Sequence, residues 1–276
     1  MDLSIIILNY KQKGLIKYCL KRLLSYNIPL YHEIIVVDND SQDNIEEMMQ
    51  NEFLRAKFIK AKSNKGYAAG NNLGIKNSLG KYILILNPDV TITEEAITEL
   101  YRFMESHPKA GIAGPKIFNP DGSLQYTCLK FPDWKLPFYR RTFLSNTQKG
   151  KKWNQEYQMT DWDHNTDKKV DWLFGACFIL RKEALKTVGL LDENYFLYME
   201  DLDWCRRFWE NNWEIWYAVK PTAIHFLHRQ SAESNIFKML FSKTARTHLL
   251  SWLKYYYKFS DISGSASGGK NKKLPQ

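Results

Sequence analysis

Three polar residues, Asn9, Asp38 and Asp89, stand just beyond predominantly apolar runs at Leu3–Leu8, Ile34–Val37 and Tyr82–Leu86. Runs of this kind suit strands of a parallel sheet covered on both faces. Ligands of open α/β sheets bind outside the carboxyl ends of the strands. If these strands are neighbours, the three side chains converge on one crevice. Each residue alone is also an ordinary turn or capping residue; their corresponding positions give them weight. A second cluster, Tyr198–Trp204, places Glu200, Asp201 and Asp203 at the start of an expected helix. A single carboxylate suffices to cap a helix and complement its dipole. Several of them among aromatic and apolar neighbours fit a general base beside a metal or substrate ligand.

The elements that must position these groups follow from periodicity. Residues up to about 115 alternate between strand and helix periods, the signature of βαβ units. Strands are expected over 3–8, 34–37, 58–61 and 82–86, and helices over 13–26, 45–53, 67–78 and 93–106. From 119 to 169 the period weakens, and Pro120, Pro132 and Pro137 interrupt it. Aromatic and basic residues mix at Phe131–Trp134 and Phe138–Arg141. An irregular stretch of this length reads as a functional or mobile loop. Order returns with an expected strand over 170–181, a short helix from Lys182, a helix near Glu200 and a strand over 213–219. Between Glu233 and Asp261 there is no acidic residue, and Leu, Phe and Trp mix with Lys and Arg. That pattern predicts one or two basic amphipathic helices over 233–260. The Gly-, Ser- and Lys-rich end, 261–276, is expected to be disordered.

Composition narrows the partners. A formal net charge of +9 favours anionic ones: nucleotides, diphosphate lipids or acidic membranes. No nucleic-acid module is present, so nucleic acid is not an expected partner. Cys19, Cys128, Cys177 and Cys205 make no metal-ligand spacing and read as reduced, buried residues of a cytoplasmic protein. No signal peptide is expected, and no apolar run approaches the roughly 20 residues that span a bilayer. The Gly66–Gly70 stretch lacks the G-K-[ST] ending of a phosphate-binding P-loop.

The order of short motifs resembles glycosyltransferase family 2, in the branch with many bacterial rhamnosyltransferases. The matching stretches are Ile5–Tyr10, Val36–Ser41, Asn64–Asn72, Leu86–Asp89, Trp172–Ala176, Val188–Glu193, Tyr198–Asp203 and Ile224–His225. Each is weak alone; their shared order is specific. The resemblance implies a GT-A fold, an α/β architecture with a Rossmann-like, mostly parallel sheet flanked by helices. It implies a nucleotide-sugar-binding half over 1–118 and an acceptor and catalytic-base half over 119–232. It further implies an inverting transfer of a sugar, such as rhamnose, from a UDP- or dTDP-sugar. The acceptor would be a hydroxyl of a polysaccharide or lipid-linked glycan, and the cofactor Mg2+ or Mn2+. Carried onto this sequence, it puts Asn9 and Tyr10 beside the nucleotide base, with Asp38 accepting from the base N–H and Asp40 near it. Asn64, Gly66 and Asn71 line the nucleotide pocket, and Asn87 stands at its diphosphate end. Asp89 binds the metal, Asp201 is the catalytic base with Glu200 alongside, and His225 is a further metal or diphosphate ligand.

The residue types suit that chemistry. Negative charge builds on a departing diphosphate, and a hard cation on oxygen ligands neutralises it. A carboxylate can take the proton of the attacking hydroxyl. In-line attack puts base and leaving group on opposite sides of the sugar, so Asp201 and Asp89 come from separate parts of the chain. Three departures stand out. The family's D-x-D motif reads Asn87-Pro88-Asp89, which predicts weaker metal binding, completed by the nucleotide. After the histidine the chain reads Phe226-Leu227-His228, so His225 or His228 could be the ligand. Gly70 replaces a more usual small residue, a change expected to be harmless. A non-catalytic sugar-nucleotide- or glycan-binding protein of the same fold is the alternative. A nucleotidyltransferase ranks last, since Asn9–Lys13 is nothing like a G-x-G-T-R loop. The basic C-terminal helices either dock on the catalytic domain or rest on an anionic membrane as a peripheral contact at the inner face of the plasma membrane.

Overall fold

The structure, a computed structural model, describes residues 1–133, 143–226 and 243–259. The first part runs β1 (Leu3–Asn9), α1 (Lys13–Ser25), β2 (His32–Asp38), α2 (Ile45–Glu52), β3 (Lys57–Lys60), α3 (Tyr67–Lys76), β4 (Tyr82–Leu86), β5 (Val90–Ile92), α4 (Glu94–Ser106) and β6 (Ala110–Phe118). The second runs β7 (Leu124–Gln125), β8 (Cys128–Leu129), α5 (Gln148–Gln158), β9 (Lys168–Lys169), β10 (Trp172–Leu173), β11 (Cys177–Arg181), α6 (Leu185–Val188), α7 (Glu200–Glu210), β12 (Glu214–His225) and α8 (Lys243–Phe259).

The apolar run at the N-terminus forms the fully buried strand β1 because it lies between β2 and β4, parallel to both. The main path of the sheet is β3-β2-β1-β4-β11-β6-β12-β5. Only β11 and β5 run against the other six strands on that path. The carboxyl ends of β1, β2, β4, β6 and β12 therefore share one edge. Alternation along β1 feeds two cores. Ile5 and Ile7 belong to one core with Leu20, Met48 and Leu100 of α1, α2 and α4, whereas Ile6 and Leu8 belong to another with Ala68, Trp204 and Tyr255 of α3, α7 and α8. The Thr93 hydroxyl caps α4 by accepting from the Ala96 N–H at 3.2 Å.

Three sequence expectations change. The stretch 119–169 is not structureless: it holds β7, β8, α5 and β9, although Trp134 and Phe138–Arg141 lie outside the described residues. The strand expected over 170–181 is broken in two. β10 pairs with β8 in a separate small sheet, β11 enters the main one, and Phe174–Ala176 cross between them. The strand expected over 213–219 continues to His225, where its end pairs with β5. Strand β6 carries no expectation from periodicity, yet it joins β11 to β12. Of the segment 233–260 only α8 is described, and the tail 261–276 lies outside the described residues.

A buried guanidinium fastens the opposite edge. Arg181 donates to the carbonyls of Ala110 (3.1 Å), Met104 (2.8 Å) and His107 (3.1 Å) and to the Tyr82 hydroxyl (3.0 Å). It thereby satisfies carbonyls around the end of α4 that have no partner within the helix. Arg181→Met removes all four of these hydrogen bonds, although the His107 carbonyl keeps another donor, the Ala110 N–H at 2.8 Å; hydrogen bonds to charged groups contribute about 1.5–3 kcal/mol each. The variant should lose about 3 kcal/mol of stability, read as a lower urea midpoint; an unchanged midpoint contradicts this role.

Candidate active site

Asn9 and Asp38 end adjacent strands in direct register. The buried Asn9 amide donates to Asp38 Oδ1 (2.9 Å) and Ser41 Oγ (2.9 Å) and accepts from the Gln12 N–H (3.1 Å). The Ser41 N–H donates to both Asp38 oxygens at 3.3 and 3.4 Å. Both side chains thus knot the turns that follow β1 and β2. Tyr10 stands 46% exposed at the rim, and Asp40 is half-buried in a left-handed backbone (φ 56°). The next turn is tied to this one by Asn39, which donates to Asn64 Oδ1 (2.9 Å) and the Gly66 carbonyl (3.0 Å).

Gly66 precedes α3 with φ +98°, and a Cβ there would sit 2.1 Å from the Phe196 carbonyl oxygen. That carbonyl accepts from the Tyr67 N–H at 2.9 Å, so the loop before α7 rests on the start of α3. Gly70 is not a harmless variation: a Cβ there would meet Leu8 Cδ1 at 2.5 Å, and its absence lets α3 lie close against β1. Asn72 faces away from the crevice and holds the loop at 191–193 through the Leu191 backbone and Glu193. Asn71 donates to the Tyr67 carbonyl at 3.1 Å, while its Oδ1 is buried without a partner.

The β4–β5 turn meets the end of β12. His225 pairs with Val90 in register, and the Phe226 N–H donates to the Asp89 carbonyl at 2.9 Å. His225 Nε2 lies 3.5 Å from Asp89 Oδ2. Its Nδ1 lies 2.8 Å from Gln125 Oε1, an acceptor, so Nδ1 is the donor there and the neutral ring presents the Nε2 lone pair toward Asp89. Asp89 Oδ1 is buried without a hydrogen-bond partner. An orphaned carboxylate oxygen and a bare imidazole nitrogen form a donor set that fits a divalent cation. Among the described residues no group of three or more His, Cys, Asp or Glu completes such a site. His228 lies outside the described residues.

Glu200 and Asp201 open α7 after two consecutive left-handed residues, Tyr198 (φ 70°) and Met199 (φ 71°). Such backbone is costly for non-glycine residues and turns the chain sharply before the carboxylates. Asp201 accepts from the Gly175 N–H (3.0 Å, Oδ2) and the Leu202 N–H (2.8 Å, Oδ1). Burial pushes its carboxyl above the usual range, against those two bonds. Glu200 is raised further by burial and by the charge of Asp201, and its Oε2 is buried without a partner.

Tyr67 joins the two acidic segments. Its hydroxyl donates to the Gly175 carbonyl at 2.5 Å and lies 3.2 Å from Asn87 Oδ1. Burial raises its phenol, and the charges of Glu200, Asp201 and Asp89 add to that rise. The third carboxylate of the cluster, Asp203, faces elsewhere. It is fully buried and paired with Arg207 (2.6 Å) and Lys258 of α8 (2.6 Å). Tyr67 and Gly175 lie inside the matching stretches Asn64–Asn72 and Trp172–Ala176 but carry no role from the sequence alone, and Gln125 lies in none of those stretches. All four cysteines are buried free thiols.

Comparisons with known proteins bear on the family and the fold. The model of the family described as Glycosyl transferase family 2 matches residues 4–189. A low-salt glycan biosynthesis hexosyltransferase of Haloferax volcanii is 31% identical over 228 residues, covering 81% of this chain and 67% of that protein. An N-acetylglucosaminyl-diphospho-decaprenol L-rhamnosyltransferase of Mycobacterium tuberculosis is 26% identical over 70% of this chain and 66% of its own length. The chain thus spans about two thirds of the length of both. A rhamnosyltransferase of Escherichia coli K12 is 26% identical over 91% of each chain. Among solved structures, GalNAc-T7 with UDP, GalNAc and Mn2+ has a TM-score of 0.61 at 11% identity, covering 96% of this chain and 58% of that one. S. aureus TarS 1-349 in complex with UDP has a TM-score of 0.55 at 16% identity, covering 98% and 76%. The fold is that of these glycosyltransferases, and the chain belongs to glycosyl transferase family 2.

Proposed function

We propose that the protein is an inverting glycosyltransferase that moves a sugar from a UDP- or dTDP-sugar to a hydroxyl of a polysaccharide or lipid-linked glycan. The relatives named for rhamnosyl and hexosyl transfer support a deoxysugar or hexose as the group moved. The observation that carries the reading is the Tyr67 hydroxyl, which touches both Asn87 and the carbonyl of Gly175, whose N–H is bound to Asp201. It supports a single cleft with the leaving diphosphate at one side and the base at the other.

In this reading Asp201 takes the proton of the acceptor hydroxyl as its oxygen bonds to the anomeric carbon. The bond from that carbon to the diphosphate breaks on the opposite face, and the diphosphate leaves with the electron pair. Asp89 and His225 would hold Mg2+ or Mn2+, which would supply positive charge against the departing diphosphate. Tyr10, Asp40, Asn64 and Gly66 border the nucleotide, and the unpartnered Asn71 Oδ1 offers it an acceptor. Asn9 and Asp38 shape the turns that receive the base, and Asp38 retains acceptor capacity for its N–H. Uracil and thymine present the same edge there, so these residues favour neither. Glu200, buried and held toward its neutral form, leaves the negative charge to Asp201.

Asp201→Asn should reduce transfer roughly 10²- to 10⁴-fold while UDP still raises the melting temperature as in wild type. Turnover retained in that variant removes Asp201 as base. Nucleotide binding without transfer or sugar-nucleotide hydrolysis in the wild type favours the non-catalytic alternative. The sign of the pH dependence follows from the base: only ionised Asp201 accepts a proton, and burial raises its pKa. The rate should therefore rise with pH along a limb lying above the usual carboxylate range near about 4, and a pH-independent kcat between 4 and 7 contradicts it.

We also propose a peripheral contact with an anionic membrane through α8. One face of α8 docks on the catalytic domain: Tyr255 is buried, Ser251 Oγ donates to the Leu197 carbonyl (2.9 Å) and Lys254 Nζ to that of Asn194 (2.6 Å). The other exposes Leu249, Leu250, Leu253 and Tyr257 beside Arg246, so docking and membrane contact use different faces. No helix among the described residues is long and apolar enough to cross a membrane. Co-sedimentation with phosphatidylglycerol vesicles should exceed that with phosphatidylcholine and fall in the double variant Leu250→Glu, Leu253→Glu. Equal recovery with both lipids overturns the contact.

A further inference from the structure

Strands β6 and β7 are joined by the turn Asn119-Pro120-Asp121-Gly122-Ser123. The Gly122 N–H donates to the Asn119 carbonyl at 2.9 Å, and Gly122 takes φ +82°. As a turn it needs nothing more. Its side chains nevertheless form a one-directional series of hydrogen bonds that leaves the turn and ends on His225.

The direction is set at the outer end. An ionised carboxylate only accepts. Hydrogen bonds from Ser123 hold the Asp121 carboxyl below its ordinary value, so it is ionised at neutral pH. Asp121 Oδ1 accepts from the Ser123 N–H (2.9 Å) and from its hydroxyl (2.6 Å). With its proton committed, Ser123 Oγ accepts from the Asn119 amide nitrogen at 2.9 Å. Asn119 Oδ1 then accepts from the Gln125 amide nitrogen at 2.8 Å. That turns the Gln125 oxygen toward His225 Nδ1, at 2.8 Å. Every donor in the series has one assignment, and the last is the Nδ1 proton of His225. Gln125 and His225 are 4% and 5% exposed, so water does not compete for the final link.

We propose that Asn119, Asp121, Ser123 and Gln125 form a positioning relay that fixes the tautomer of His225 and presents Nε2, with its lone pair, to the cation beside Asp89. None of the four touches the cation or the substrate; they act through His225. Hydrogen bonding to the distal nitrogen orients a histidine ligand and raises its basicity. Here an amide relay supplies what a carboxylate or carbonyl often does. The inference rests on the reading that Asp89 and His225 hold the metal.

The test is Mn2+ affinity in the presence of UDP, read from the electron paramagnetic resonance signal of free Mn2+ in the full-length protein. Gln125→Leu should weaken Mn2+ binding about 10- to 100-fold. Gln125→Glu, which keeps an oxygen on Nδ1, should stay within about threefold of wild type. Asn119→Leu, one link farther out, should weaken it by about 3- to 10-fold. Unchanged affinity in Gln125→Leu, or an equal loss in Gln125→Glu, overturns the relay. Should Gln125→Leu fail to fold by circular dichroism, Asn119→Leu carries the decision, and wild-type affinity there overturns it. An Asp89→Asn control separates the two layers: no loss in it removes the cation site itself, whereas loss in it without loss in Gln125→Leu removes the relay alone.

Discussion

Two acidic segments distant along the chain can act on one substrate only if something fixes their separation. Here a single phenol does so. The Tyr67 hydroxyl bonds to the Gly175 carbonyl across 108 residues of chain and lies against the Asn87 side chain. The Gly175 N–H in turn holds Asp201. Tyr67 is placed by Gly66, whose missing Cβ admits the Phe196 carbonyl, and by Gly70, which lets α3 approach β1. The sheet supplies the platform, because β1, β4 and β12 all end at the edge where this phenol stands.

The same region bears strain and is braced for it. Tyr198 and Met199 adopt left-handed backbone immediately before Glu200. Such conformations persist only where surrounding contacts over-determine them. Helix α8 provides several: Ser251 on the Leu197 carbonyl, Lys254 on that of Asn194, and Lys258 bridging Asp203 and Asp192 at 2.6 and 2.7 Å. The basic C-terminal segment thus acts in the architecture of the acid cluster, and Asp203 serves that bracing rather than the cleft.

Much of this was legible in the sequence because the signals were local. Fully buried parallel strands announce themselves as apolar runs, so β1, β2 and β4 and the polar residues beyond them could be located. The start of α7 at Glu200 was legible for the same reason. Strand β6 was missed because Gly111, Gly114 and Pro115 interrupt its apolar pattern, and only pairing with β11 and β12 makes it a strand. The break between β10 and β11 was invisible because both halves are apolar and buried, each against a different sheet. Gly70 looked neutral because a helical glycine shows its purpose only when the neighbouring strand is in view. Gln125 had no local signal at all: its partners, Asn119 and His225, come from a turn and from a strand end 100 residues on.

The central claim is that the Asn87–Asp89 turn, His225 and the Glu200–Asp201 pair surround one donor pocket. Its most direct measurement is an anomalous-scattering map from crystals soaked with UDP and Mn2+. The account predicts one strong Mn2+ peak between the Asp89 carboxylate and His225 Nε2, with the UDP diphosphate on the same ion and Asp201 facing it across an open space of sugar size. Mn2+ and UDP bound away from Asp89, or a wall of protein between that ion and Asp201, would contradict it.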